Sequence, residues 1–244
     1  MRNDPFRFRE RTYRNSISNN RLFAFQVQVL ETDLWISASH DLSEMALDLV
    51  YRYRHLIEEY IQLHPNFLTS FIPLEFDPLA PSIVRDMLSA AIVAGVGPMA
   101  SVAGAIAQYI GVDLSRHSDE VIVENGGDIF VKSQEELRVG IFAGSSPLSE
   151  KVFLKIKPEN TPLGVCTSSG TVGHSISLGQ ADAVCVISKS AVLSDAAATA
   201  VGNSVKSHTD IKKALEKGLQ IRGVLGLVII AGERLGALGD IEFA

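Results

Sequence analysis

The stretch Val121-Ile122-Val123-Glu124-Asn125-Gly126-Gly127-Asp128-Ile129-Phe130-Val131 decides how the middle of the chain folds. Two β-type apolar runs flank Asn-Gly-Gly-Asp, and glycine reaches positive φ without steric cost, so the stretch predicts a β-hairpin. Its turn would expose backbone N–H groups of Gly126 and Gly127 beside the Asn125 and Asp128 side chains, which suits a ligand-binding loop. A plain hairpin turn is the alternative, and turn statistics favour it for these four residues alone.

The composition limits the classes of partner. The chain has 244 residues, with 22 Lys and Arg against 28 Asp and Glu, a net charge of −6, which argues against nucleic acid as a partner. No signal peptide is recognisable and the apolar runs are too short to span a bilayer, so we expect a cytoplasmic protein that does not bind a membrane. Cys166 and Cys185 lack CxxC spacing, which favours buried thiols over a disulfide.

Hairpins and helices alternate irregularly along the chain, without a long linker. This order predicts a single α+β domain over residues 1–244 rather than a doubly wound parallel sheet. Asp41 is predicted to cap the first helix, with Glu44 completing a capping box. We expect strands at 6–14, 22–29, 34–38, 120–123, 129–131, 139–142, 152–156, 164–167, 183–187 and 224–230, helices at 41–64, 81–94, 98–110, 195–203 and 210–217, and a loop at 65–80.

The helix predicted at 98–110 is made mostly of small residues. Such a smooth surface lets another backbone, or a flat ligand, come very close. Tight packing on a sheet is an equally good interpretation, and Gly97 and Met99 at its start remain candidate ligand contacts.

A second candidate loop runs from Cys166 to Ser175 and holds five hydroxyl groups, two glycines and one histidine. Hydroxyl and backbone donors in such a loop can bind phosphate or ribose oxygens without a net positive charge. His174 is a candidate acid or base near neutral pH, although a lone histidine is more often merely hydrogen-bonded. The ligand contacts predicted in this loop are Thr167, Ser168, Ser169, Gly170 and Ser175.

The third candidate element contains Asp195 and Thr199, which are four residues apart and therefore share one helix face. A carboxylate and a hydroxyl at that spacing offer two hard oxygen ligands to Mg²⁺. The alternative is that Ser194 or Asp195 is simply the N-cap of an alanine-rich helix.

In this order, the three elements resemble the ApbE-like family, best known for flavin transferases that use Mg²⁺ to attach FMN from FAD to a Ser or Thr of another protein. Asp195 and Thr199 match the family's metal-binding Asp-x-x-x-Thr, the most specific part of the likeness. The chain is most similar to a compact, functionally uncharacterised branch, on the segments Thr32-Asp33-Leu34, Gly95-Val96-Gly97-Pro98-Met99, Glu124–Asp128, Cys166–Thr171, Gly173-His174-Ser175 and Ala196–Thr199. The resemblance implies an ApbE-like, tunnelling-type α+β fold with antiparallel sheets packed against helices, and a flavin (FAD or FMN) or other nucleotide ligand.

Two departures from the family pattern bear on function. The small-residue helix reads Ser101-Val102-Ala103-Gly104, without the charged residue of the flavin transferases, and no His-x-x-Asp-Pro-x-Thr-Gly segment follows His174. The hypotheses are a Mg²⁺-assisted transferase with an altered substrate, with His174 or Asp128 moving a proton, and a flavin- or nucleotide-binding module without chemistry. The third is a protein of sulfur or homocysteine assimilation, a role suspected for some of the branch, and a homo-oligomer is left open.

Overall fold

The computed structural model describes residues 21–170 and 179–244. The strand predicted at 6–14, His174 and Ser175 lie outside the described residues. The strands are β1 (Phe23–Val29), β2 (Thr32–Ala38), β3 (Val121–Asn125), β4 (Asp128–Lys132), β5 (Leu137–Gly140), β6 (Phe153–Ile156), β7 (Leu163–Ser168), β8 (Ala183–Ser188), β9 (Val224–Ala231) and β10 (Arg234–Gly239). The helices are α1 (Ser43–Leu63), α2 (Asn66–Thr69), α3 (Ser82–Ala94), α4 (Val102–Leu114), α5 (Ala191–Ser204) and α6 (Ile211–Leu219).

Eight strands form one sheet in the order β1-β2-β3-β4-β7-β8-β9-β10, while β5 and β6 pair separately. Every pair of neighbouring strands is antiparallel. This confirms the predicted α+β class with antiparallel sheets and helices.

The inner strands β2, β3, β4, β7, β8 and β9 are buried on both faces, and their period-two alternation supplies two cores, whereas the edge strands β1 and β10 are partly exposed. In β8, for example, Val184 and Val186 pack beneath α5 and α6, whereas Cys185 and Ile187 pack with the β5–β6 ribbon. Cys166 belongs to the core under α1, α3 and α4, so the two cysteines lie in different cores. Both are free and buried, as predicted.

Some predicted boundaries were wrong. The N-cap of α1 is Leu42, not Asp41, and the Asp41 carboxylate instead accepts a hydrogen bond from the Ser43 amide at 2.9 Å, without the predicted capping box. The loop predicted at 65–80 contains α2. A turn of 3₁₀-helix precedes α4, which runs on to Leu114, and β10 was not predicted.

Within residues 21–170 and 179–244, no single helix is long and apolar enough to cross a membrane. Taken together, α3 and the stretch Pro98–Leu114 have the length and apolar composition of a membrane span, but they are bent by 104° to each other.

Candidate functional site

The predicted hairpin forms with the shortest turn available. Gly126 and Gly127 have φ values of 67° and 105°, so both central residues adopt the positive φ of a type I′ turn. Asn125 and Asp128 are the cross-strand pair that closes this turn. Because Val123 and Phe130, two residues away along each strand, belong to the core under the helices, the Asn125 and Asp128 side chains point to the helix face.

The polar row continues onto β7, where Cys166 pairs with Asp128 on the same face. The Asn125 side-chain amide donates to the Ala103 carbonyl at 3.1 Å, at the start of α4. The Cys166 thiol donates to the Ala191 carbonyl at 3.3 Å, at the start of α5. The hairpin and β7 are thus joined to the beginnings of two helices.

Asp195 lies in the second turn of α5, whose N-cap is Ser190. The alternative that Ser194 or Asp195 caps this helix is therefore wrong. Instead, the Asp195 carboxylate reaches across to α4 and accepts a hydrogen bond from the Gly104 amide at 2.9 Å. Gly104 carries one of the first amides of α4, which lack partners within that helix, so Asp195 caps α4 from outside at the positive end of its dipole.

Backbone packing between α4, α5 and β7 holds this arrangement. A Cβ atom added at Gly104 would lie 2.3 Å from the Ala191 carbonyl oxygen, and one added at Gly164 would lie 2.3 Å from the Ala191 Cα. The Ala191 amide donates to the Gln108 side chain of α4 at 2.7 Å. The small-residue helix therefore admits another backbone, one of the two alternatives the sequence left open.

The electrostatics of the site are dominated by two buried carboxylates. Burial, and then the charge of Asp195, raises the pKa of Asp128 well above its ordinary value. Burial also raises the pKa of Asp195 to about 7, although the amides of Gly104 and Ala103 lower it. Oδ1 of Asp128 is buried and has no hydrogen-bond partner among the described residues. No Lys, Arg or His in those residues forms an ion pair with either carboxylate.

Glu124 is a site residue to which sequence reasoning assigned no role. It lies on the opposite face of β3 and is fully buried, and its carboxylate accepts a hydrogen bond from the Gly127 amide at 2.7 Å. Glu124 therefore holds the turn from the face of the sheet opposite to Asp128. Its charge also contributes to the raised pKa of Asp128. The signal that could have identified it was an acidic residue inside an otherwise apolar strand.

Of the hydroxyl-rich segment predicted at 166–175, the structure describes residues 166–170, and the first three of these end strand β7 with side chains on alternate faces of the sheet. Thr167 pairs with Cys185, so its side chain points away from Asp128 toward the second core. Ser168 points to the helix face, and its hydroxyl is buried without a hydrogen-bond partner in the described part of the chain. Ser169 is half-buried, and the Gly170 amide donates to the Ala181 carbonyl at 3.0 Å. Their roles as ligand contacts stay predictions.

The remaining predicted residues lie at the margins. Gly97 packs against the segment after α2, because a Cβ there would lie 1.8 Å from the Ser70 carbonyl oxygen, and Met99 is half-buried against the core. Thr199 is half-buried one turn beyond Asp195 on α5. A groove of about 520 Å³ lies between α6 and β10, and its lining includes none of the predicted site residues.

A family model described as AbpE bacteria matches residues 14–238. The chain belongs to this ApbE-like family. The UPF0280 protein of Methanococcus aeolicus is 42% identical over 222 residues, 88% of this chain and 90% of that protein. The UPF0280 protein of Methanocaldococcus jannaschii is 41% identical over 201 residues, 80% of this chain and 82% of that protein.

Solved ApbE structures share the fold at low sequence identity. The ApbE protein from Thermotoga maritima superimposes with a TM-score of 0.57 at 12% identity, over 88% of this chain and 96% of that one. The flavin transferase ApbE from Vibrio cholerae gives a TM-score of 0.52 at 12% identity, over 89% of this chain and 96% of that one. The ApbE-like fold predicted from the resemblance is thereby confirmed.

Proposed function

We propose that this chain, as one domain over residues 1–244, binds a flavin- or nucleotide-type ligand through its phosphates with the help of Mg²⁺. The observation that carries the proposal is the pair of buried carboxylates, Asp128 and Asp195, with no protein cation beside them in the described ranges. Burying carboxylates without a counter-charge is costly, and a bound divalent cation removes that cost. The unpartnered Oδ1 of Asp128 supports the same conclusion.

The donors present fit Mg²⁺. Within residues 21–170 and 179–244, no group of three or more His, Cys, Asp or Glu side chains is arranged to hold a metal. Such a set is not what Mg²⁺ needs, because this ion is usually bound by one or two carboxylates together with water and substrate phosphates. Asp195 and Thr199 would hold the ion, which would supply neutralisation of charge on the transferring phosphate.

The other residues have separate roles in this proposal. In this proposal the ligand contacts Asn125, Gly126 and Gly127, and the backbone amide on offer is that of Gly126, the most exposed of the three. The Gly127 amide, which the sequence predicted to be exposed, is instead held by Glu124. The loop at 167–170 contacts phosphate or ribose, with Ser168 on the face of Asp128. Asp128 or His174 moves a proton, and the pKa of Asp128, which burial and then the charge of Asp195 raise well above its ordinary value, favours a role in proton transfer.

The reaction we propose is a transfer related to that of the flavin transferases but with a different substrate. Family membership and the shared fold support a flavin-related role. The uncharged start of α4 and the missing Asp-Pro segment support the change of substrate, and equally support a cytoplasmic binding module that keeps the ligand without chemistry.

A thiol reaction at Cys166, in a sulfur-metabolism role, has less support. Burial, and then the charges of Asp128 and Asp195, raises the pKa of the Cys166 thiol well above its ordinary value. The reactive thiolate form is therefore disfavoured.

Incubation of the purified chain with FAD and Mg²⁺, with and without candidate acceptor proteins, tests the transfer. Release of AMP, absent with Asp195→Asn, supports an enzyme. Mass spectrometry of the small molecules that copurify, together with thermal shift, separates the alternatives. Retention of a flavin or nucleotide without turnover supports the binding module. If the chain shows no retention and no turnover, both the transferase and the binding module are contradicted.

A further inference from the structure

The segment between the end of α1 and the start of α3 exposes a series of large apolar side chains. Their exposed fractions run from 48% to 93%, whereas neighbouring Phe67 is fully buried. We call this surface the 63–79 patch, and its members are Leu63, Leu68, Phe71, Ile72, Phe76 and Leu79.

Buried anchors fix the backbone that carries the patch. The Tyr60 ring packs edge-to-face on Phe67 with ring centres 5.2 Å apart, and its hydroxyl donates to the Asp77 carboxylate at 3.1 Å. The Ser70 carbonyl lies against Gly97 so closely that no side chain fits between them. The apolar side chains are thus presented outward by a segment that is itself tied to the core.

The apolar area that the six residues expose together is comparable with one side of an interface. At roughly 150–200 Å² for a fully exposed side chain of this kind, the six residues expose on the order of 700 Å² of apolar surface. The largest apolar patch of a typical monomer is about 300–600 Å². A standard-size interface buries about 800 Å² on each partner.

The charge pattern indicates the kind of partner. Residues 63–80 contain no Lys or Arg, and their acidic residues are Glu75 and Asp77. Asp77 is engaged by Tyr60, and its carboxylate also accepts from the Leu79 amide at 2.9 Å. Arg85, which donates to the Pro78 carbonyl at 3.3 Å, is a basic residue at the border of the patch. One basic residue beside a segment that has none, on a chain of net charge −6, does not suit an anionic membrane or a nucleic acid.

A second copy of the chain fits better. In a two-fold interface each charge near the axis meets its own equivalent, so a self-complementary contact needs a centre with few charges. The stretch from Leu63 to Leu74 has no Asp, Glu, Lys or Arg. We propose that the 63–79 patch is the contact surface through which two copies of this chain form an isologous dimer.

The proposed dimer contact would border the candidate site, but the proposal of a dimer does not rest on the proposed function of that site. Gly97, against which the segment packs, leads into the turn Pro98–Ser101 and then into α4. The first amides of α4 include that of Gly104, which holds Asp195.

Analytical ultracentrifugation of the full chain, at concentrations up to about 100 μM, tests the proposal. We expect a species of twice the mass of one chain. Phe71→Asp and Leu79→Asp should raise the dissociation constant at least roughly tenfold, because each puts a charge into an apolar contact. The matched control is Leu30→Asp, in the β1–β2 turn, where an equally exposed leucine (71%) lies outside the patch and dimerisation should be unchanged.

A wild-type chain that remains monomeric overturns the proposal, as does a dimer that all three variants leave equally tight. A monomer that binds phosphatidylcholine vesicles through the patch also overturns it, since the occupant is then lipid. If the patch variants fail to fold, hydrogen exchange of the wild-type chain decides: protection at 63–79 that rises with protein concentration is expected, and its absence refutes the dimer.

Discussion

Replacing Asp195 by Asn should change how the stability of the chain depends on pH. Asp195 is buried beside Asp128, with Cys166 on β7 and the first amides of α4 around it, and its pKa is raised from 3.8 to about 7. Between these two values the native chain binds more protons than the unfolded chain. The free energy of unfolding therefore falls as the pH rises through that window and levels off above it.

The magnitude follows from the shift. A rise from 3.8 to about 7 corresponds to on the order of 4 kcal/mol in total, of which roughly 2–3 kcal/mol is lost between pH 5 and pH 8. Asparagine carries no charge to bury and can still accept from the Gly104 amide, so the variant lacks this loss. For a chain of this length, the difference in melting temperature between the variant and the wild type should shift by roughly 5–10 °C in favour of the variant as the pH rises from 5 to 8.

Thermal unfolding at a series of pH values in the presence of EDTA measures this difference. The comparison of the two proteins cancels the titrating groups that do not interact with Asp195. Asp128 and Cys166 are the exceptions, because the charge of Asp195 raises the pKa of both. Asp210→Asn is the control, because the amides of Lys206 and Ser207 lower the pKa of Asp210 and its charge is favourable. This variant should be destabilised by an amount that does not change between pH 5 and pH 8. Mg²⁺ added at pH 8 should raise the melting temperature of the wild type and not that of Asp195→Asn. A difference between the two proteins that does not change with pH would refute the reasoning.

Three further predictions follow from the packing and the buried groups. Gly104→Ala should destabilise the chain by at least about 2 kcal/mol in urea unfolding, because its methyl group would lie 2.3 Å from the Ala191 carbonyl oxygen. The control is Gly126→Ala, whose methyl group meets open space but whose positive φ should cost only about 1–2 kcal/mol. Equal losses of stability in the two variants would contradict this account. Burial, and then the hydrogen bond to Asp113, raises the pKa of Tyr53 to about 12. The ultraviolet titration curves of the wild type and Tyr53→Phe should therefore superimpose up to about pH 11. Extra tyrosinate in the wild type below that pH would refute this prediction. Cys166→Ser should leave retention of the copurifying ligand unchanged, since serine can still donate to the Ala191 carbonyl, and loss of the ligand in a folded variant would give the thiol a functional role.

The sequence predicted the elements whose signals are local. The hairpin around Gly126 and Gly127 needed only the turn residues and their apolar flanks, and most core strands could be read from short apolar runs. β10 was missed because Arg234–Gly239 contains two glycines and lies at the sheet edge, where few apolar positions are demanded. The short α2 was missed because Pro65 and Pro73 on either side favour a loop.

The sequence allowed candidate site residues to be chosen, but not their contacts. Asp195 and Thr199 were selected from their spacing on one helix face and from the family resemblance, whereas the partner of Asp195 is a backbone amide 91 positions away. A backbone donor carries no sequence signature, so neither Gly104 nor Ala103 could be assigned a role. The side-chain direction of Thr167 likewise depends on strand register, which a one-residue shift reverses.

The claim on which the account depends is that a divalent cation joins the phosphates of a flavin or nucleotide to Asp195 and Thr199. The most direct test is a crystal structure of the chain with FAD and Mn²⁺ in place of Mg²⁺, in which anomalous scattering locates the ion. We predict one anomalous peak bound by the Asp195 carboxylate and the Thr199 hydroxyl, with the diphosphate beside it and the hairpin at 125–128 against the ligand. An ion and a flavin bound elsewhere, with Asp195 still engaged only by α4, would contradict the account.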